Sequence, residues 1–224
     1  MKRLLLYIAL PALLLNACKP MADKEPIYQF EKGFGDSKEH PSGRPFSWPE
    51  GIRLLDKPNS TEDCFYDSKK RNRFHGHSGG VQICLNLYNE TNAPIQVKLP
   101  PGLMFEAKSL KVQNGFIVTW VTIEVPPREQ YFATLYMVCA NTDRSSPYND
   151  EIEEQAIVTD HPALRELAEL LKNKKCNFED YGGKYLDPGA LAATDLITLA
   201  AKNLIYGKPI RPEVMEGILA MPER

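Results

Sequence analysis

Alternation of apolar and polar positions dominates the middle of the chain. Val81, Ile83, Leu85 and Leu87 alternate with Gln82, Cys84, Asn86 and Tyr88. Ile95, Val97 and Leu99 alternate with Gln96 and Lys98, and Leu103, Phe105 and Ala107 with Met104, Glu106 and Lys108. A period of two puts one apolar row on one face of an extended strand, the pattern of half-buried strands in antiparallel sheets. Residues 116–125 and 131–139 are apolar on both faces, as central strands are. Turn-forming stretches separate these runs: Asn89-Glu90-Thr91-Asn92, Pro100-Pro101-Gly102, Gln113-Asn114-Gly115 and Pro126-Pro127. Weaker strand candidates lie near 52–56 and 63–67. About seven short strands at this spacing predict an antiparallel β-sandwich over residues 51–145, in a fold that is mainly β with α.

The period changes after residue 145. Leu164, Leu167, Ala168 and Leu171 follow i, i+3, i+4, i+7 spacing behind Asp160, a candidate N-cap, and Pro162; Arg165 and Glu169 are placed as an outer i,i+4 pair. A second helix is predicted from Asp187-Pro188 to about Tyr206, stopped by Gly207 and Pro209 and carrying Leu191, Leu196, Leu199, Ala200 and Leu204; a third spans 212–220. Residues 146–224 are thus a helical segment expected to pack on the sandwich. Residues 18–50 have no persistent period and read as a tether that becomes ordered near Phe46-Ser47-Trp48-Pro49.

Composition excludes more than it assigns. With 43% apolar and 25% charged residues, the chain is neither disordered nor collagen-like. Its 27 Lys+Arg against 29 Asp+Glu give a net charge of −2, which argues against a dedicated nucleic-acid binder. The N-terminus is different in kind. Lys2 and Arg3 precede an uncharged apolar run from Leu4 to Leu15, too short for the roughly 20 residues of a membrane-spanning helix but suited to a secretory signal. The run ends in Leu15-Asn16-Ala17-Cys18, which resembles the lipobox of bacterial lipoproteins. The resemblance implies removal of residues 1–17, a diacylglyceryl (palmitate-bearing) anchor on Cys18, and location in the bacterial cell envelope; Lys19 after the cysteine favours the outer membrane. Asn16 is a less usual residue at its position in that pattern.

Cleavage leaves 25 basic against 29 acidic residues, a balance of −4, and four of the five cysteines besides Cys18: Cys64, Cys84, Cys139 and Cys176. An even number in an oxidising compartment predicts two disulfides, with three connectivities open. If Ile83 and Leu85 face the core, Cys84 faces away from it, which disfavours a bridge to Cys139 across the sandwich. Cys64–Cys84 and Cys139–Cys176 are the preferred pairs.

Gly76-His77-Ser78-Gly79-Gly80 matches G-x-S-x-G, the nucleophile elbow of serine hydrolases, which needs a strand, a sharp turn and a helix to expose the hydroxyl. Polar, basic residues precede it and a strand pattern follows it, so a glycine-rich connection is the preferred reading and a serine hydrolase the competing one. His75 and His77 sit two apart as zinc ligands can, but no third ligand is evident. Lys69, Lys70, Arg71, Arg73, His75 and His77 together form a candidate contact loop. No cofactor is expected. The expected function is therefore a non-enzymatic binding or structural role at the membrane. The partner would be an envelope protein or an external ligand.

Overall fold

The computed structural model describes residues 29–59, 62–77, 79–148 and 151–224. The signal sequence and Cys18 therefore lie outside the described residues, as does Ser78. The described chain is mainly antiparallel sheet with four helices. Its strands are β1 (Gly43–Pro45), β2 (Ile52–Leu54), β3 (Phe74–Gly76), β4 (Val81–Asn89), β5 (Ile95–Leu99), β6 (Leu103–Phe105), β7 (Gly115–Phe116), β8 (Val121–Val125), β9 (Gln130–Cys139) and β10 (Ile157–Thr159). The helices are α1 (Glu62–Arg71), α2 (Pro162–Leu171), α3 (Pro188–Ile205) and α4 (Pro212–Ala220), with one 3-10 turn at Phe178–Tyr181. The larger sheet runs β1-β10-β6-β7-β9-β4-β2 and curls into a half-barrel; β5 and β8 form a separate antiparallel ladder.

Strand β9 organises the molecule. Along one edge it pairs with β4, from Val81 opposite Met137 to Tyr88 opposite Gln130. Its other edge carries β3, in parallel, beside Thr134–Tyr136, and then β7 beside Val138 and Cys139. Because side chains alternate, Tyr131, Ala133, Leu135 and Met137 enter one core, shared with Ile83 and Leu85 of β4 and with Val97 and Ile123 of the small ladder. Val138 enters a second core on the opposite face, with Phe116 of β7 and the inner sides of α2, α3 and α4. The apolar double face of 131–139 is what a strand covered on both sides requires.

Several elements differ from the sequence reading. Residues 63–67 are helical rather than extended. Cys64 and Ser68, one turn apart, are the buried residues of α1, while Glu62 and Asp63 at its start and Lys69–Arg71 at its end suit the helix dipole. Strand β10 returns residues 157–159 to the sheet from within the segment expected to be helical. The N-cap of α2 is His161 rather than Asp160, with Pro162 at the first position. Asp160 instead accepts from Arg165 Nε at 3.1 Å, and Glu169 pairs with Lys172, so the Arg165–Glu169 pair does not form.

Helix α3 begins as its sequence predicts: the Asp187 carboxylate accepts from the N–H groups of Gly189 and Ala190 at 2.9 and 3.2 Å. Its buried side is nevertheless Ala193, Ile197, Ala200 and Ala201, while Leu191 and Leu199 are exposed. Small residues let this helix sit close to the sheet. The tether segment docks earlier than expected. Phe34, 2% exposed, stacks edge-on against Phe116 and His161, and Asn114 and Asn141 both donate to the Gly33 carbonyl; Phe46 and Trp48 then pack on the first core.

Candidate functional site

Strand β3 places His75 and His77 in the interior, not on a contact loop. Its parallel pairing with β9 is continued by the His77 N–H, which donates to the Tyr136 carbonyl at 3.1 Å. Gly76 has a φ of +78°, and a Cβ there would collide with the same carbonyl. At Gly80 a Cβ would collide with the Cys139 sulfur. Packing thus accounts for both outer glycines of the G-x-S-x-G motif. The motif joins two strands, β3 and β4, rather than a strand and a helix.

The His77 imidazole is held by Val118 and by Asn177, which caps the 3-10 turn, and His75 meets Tyr131 of β9. Val118 N–H donates to His77 Nε2 at 2.9 Å, so Nε2 is bare and Nδ1 carries the proton. That proton goes to Asn177 Oδ1 at 2.8 Å. Asn177 Nδ2 donates to the Trp120 carbonyl and to Glu179 Oε1, at 2.7 and 2.9 Å. Glu179 also accepts from Thr122 N–H at Oε1 (3.1 Å) and from Gly76 N–H at Oε2 (2.9 Å). Asp180 Oδ2 accepts from the Cys176 and Asn177 N–H groups and from Arg224 Nε, drawing in the C-terminal residue. His75 Nε2 lies 3.3 Å from the Tyr131 hydroxyl, and its Nδ1 is 3.9 Å from Glu179 Oε2 with no hydrogen bond.

Burial dominates the electrostatics here. It lowers both His75 and His77 to about 4, so both rings are neutral at pH 7. It raises the Glu179 carboxyl to about 8, against the hydrogen bonds from Gly76 and Thr122 that favour its ionised form. The arrangement is a polar joint tying β3, β8, the 3-10 turn and the C-terminus. A base for a neighbouring hydroxyl needs a free ring nitrogen, and His77 has none. Of the other two histidines, His40 pairs with Glu106 at 2.6 Å, and His161 lies edge-on to Phe34 with neither ring nitrogen hydrogen-bonded. Among the described residues, no three His, Cys, Asp or Glu side chains converge as a metal site requires.

The candidate contact loop is taken apart by the fold. Lys69, Lys70 and Arg71 are exposed on the last turn of α1. Arg73 is half-buried, lying 3.8 Å over the Tyr131 ring and donating to Glu129 at 2.7 Å, while His75 and His77 are buried. Cys64 and Cys84 form a disulfide, with Cα atoms 6.0 Å apart, on the side of β4 away from Ile83 and Leu85. The expected Cys139–Cys176 bridge is absent; both are free thiols. They belong to opposite faces of the sheet, Cys139 against the first core and Cys176 within the second, and burial pushes them up to about 11 and about 12.

Sequence reasoning missed Asn177, Glu179, Asp180 and Arg224. One signal was present: Asn177 and Asp180 stand three apart and form a capping box around the turn. No protein-family model, curated protein or solved structure matches this chain.

Proposed function

We propose that this chain is a lipid-anchored bacterial envelope protein with a non-enzymatic binding or structural role. The charged start, apolar run and Leu15-Asn16-Ala17-Cys18 support the anchor and the envelope location, with Lys19 favouring the outer membrane. The buried Cys64–Cys84 disulfide is in keeping with an oxidising compartment. The observation that carries the non-enzymatic half is the closure of His77, the residue before the serine that the hydrolase reading would need: both of its ring nitrogens are spent inside the protein.

Two measurements test the two halves separately. Radiolabelled palmitate is expected in the wild-type chain and not in Cys18→Ala, which should leave the membrane fraction; label in the variant contradicts the anchor. An active-site serine probe is expected not to label the protein. Labelling that disappears in Ser78→Ala would establish the hydrolase instead.

A further inference from the structure

One exposed turn departs from what stability alone would select. Leu186 has a φ of +58°, a left-handed conformation that a bulky non-glycine residue adopts only at an energetic cost, and its side chain is 56% exposed. It is both strained and in water. Beside it Tyr185 is 36% exposed and packs on Phe65 of α1, and the next residue of that helix, Tyr66, is 61% exposed. The turn is held against the end of α1: Phe74 N–H donates to the Gly183 carbonyl at 3.3 Å, and the Lys69 ammonium lies 5.1 Å from the centre of the Tyr185 ring.

The charge at this place is basic in a mildly acidic chain. Arg71 is held by Asp67 and Glu129, which leaves the ammonium groups of Lys69, Lys70 and Lys184 without an ion-pair partner among the described residues. Of the nearby carboxylates, Asp67 faces Arg71 and Asp187 caps α3; Glu62 and Asp63 stand at the far end of α1. An outward leucine and two amphipathic tyrosines among lysines with long apolar stems match the boundary between phosphate headgroups and acyl chains.

The N-terminal chain is long enough to span the distance to such a boundary. Phe30 packs on Tyr206, just past the C-terminal end of α3, and Tyr185 precedes the N-terminal end of that helix, which at 18 residues is about 27 Å long. From Cys18 to Gln29 is 29 − 18 = 11 residues, up to about 36–40 Å of extended chain.

We propose that the Tyr185–Leu186 turn and Tyr66 of α1, with Lys69, Lys70 and Lys184, dock the folded domain on an anionic phospholipid surface. The proposal rests on the lipid-anchored reading and says which face of the domain meets the bilayer. The test uses the mature chain, residues 18–224, carrying Cys18→Ala so that no acyl chain contributes. It should co-sediment with vesicles of phosphatidylethanolamine and phosphatidylglycerol more strongly than with phosphatidylcholine, and less at high salt.

Leu186→Glu should weaken that binding at least tenfold. Leu186→Gly should weaken it several-fold while raising Tm by roughly 2 °C, because the strain is relieved. That opposite movement separates docking from folding. Absence of binding to the anionic vesicles, or binding unchanged in Leu186→Glu, overturns the proposal; so does a lower Tm in Leu186→Gly. Palmitate incorporation without vesicle binding sinks the docking face alone, whereas absence of palmitate on the wild-type chain sinks the anchor.

Discussion

Leu186 follows Glu179 by seven positions, and the two ends of that stretch are opposites. Around Glu179, groups that look like chemistry (two histidines, a carboxylate, an asparagine) are buried and almost wholly satisfied by one another. At Leu186 an ordinary apolar side chain is left in water on a strained backbone. The contrast teaches that residue type alone does not mark a functional site. Polar residues whose partners are all internal hold the fold together. An apolar residue more than half exposed on a left-handed backbone is what the docking proposal rests on.

The largest expected effect breaks the buried end. Glu179→Ala leaves the Gly76 and Thr122 N–H groups without their acceptor, while Asn177 Nδ2 keeps the Trp120 carbonyl, and each buried orphan costs about 1–3 kcal/mol. A loss of about 3–5 kcal/mol in urea unfolding is expected, with Glu179→Gln recovering part of it. A loss under about 1 kcal/mol would show that the joint is dispensable. Next comes the bridge: Cys84→Ala, or reduction, opens a link with a sequence separation of 20, for an expected loss of about 3 kcal/mol. Buried Cys176 should react with a thiol reagent only after unfolding, and half-buried Cys139 more slowly than a free thiol, since burial keeps both protonated.

The pH dependence sharpens the comparison, because the joint contains shifts of opposite sign. His75 and His77 fall from 6.5 to about 4, so below pH 6.5 the unfolded chain takes up protons that the folded one refuses, and stability drops as pH falls. Glu179 rises from 4.5 to about 8, so between those values the folded chain holds the extra proton and stability drops as pH rises. Between 4.5 and 6.5 the two histidines outweigh the one carboxyl, and above 6.5 only the carboxyl acts. Stability should therefore peak near pH 6.5. The alkaline slope should vanish in Glu179→Gln. A Tm that keeps rising from pH 6.5 to 8 would contradict the assignment. The smallest effect is at the exposed end: Leu186→Gly should gain roughly 0.5–1 kcal/mol.

The sequence disclosed the strands well, because β4, β5 and β9 have one or both faces buried and the side-chain period reports that directly. It disclosed the ends of α3 through Asp187-Pro188 and Gly207, and part of its inward side through Ala200, Leu196 and Leu204, but Ala193 and Ala201 carry less hydropathy than Leu191 and Leu199, which are exposed. Helix α1 stayed hidden since only Cys64 and Ser68 of it are buried. The parity of β4 spoke against Cys84–Cys139, and the preferred Cys64–Cys84 pair is the one that forms. The same parity along β9 places Cys139 with Met137 and Leu135, on the side away from Cys176. His75 and His77 were visible as a pair. Their role was not, because Asn177 and Glu179 meet them across sequence separations of 100 and more, and only the fold makes those contacts.

If His77 is a fixed interior strut, long-range proton–nitrogen NMR of its imidazole will show it. A protonated Nδ1, a bare Nε2 and no titration from pH 8 down to 5 are predicted. An imidazole that titrates near 6.5, or one carrying its proton on Nε2, would contradict the account.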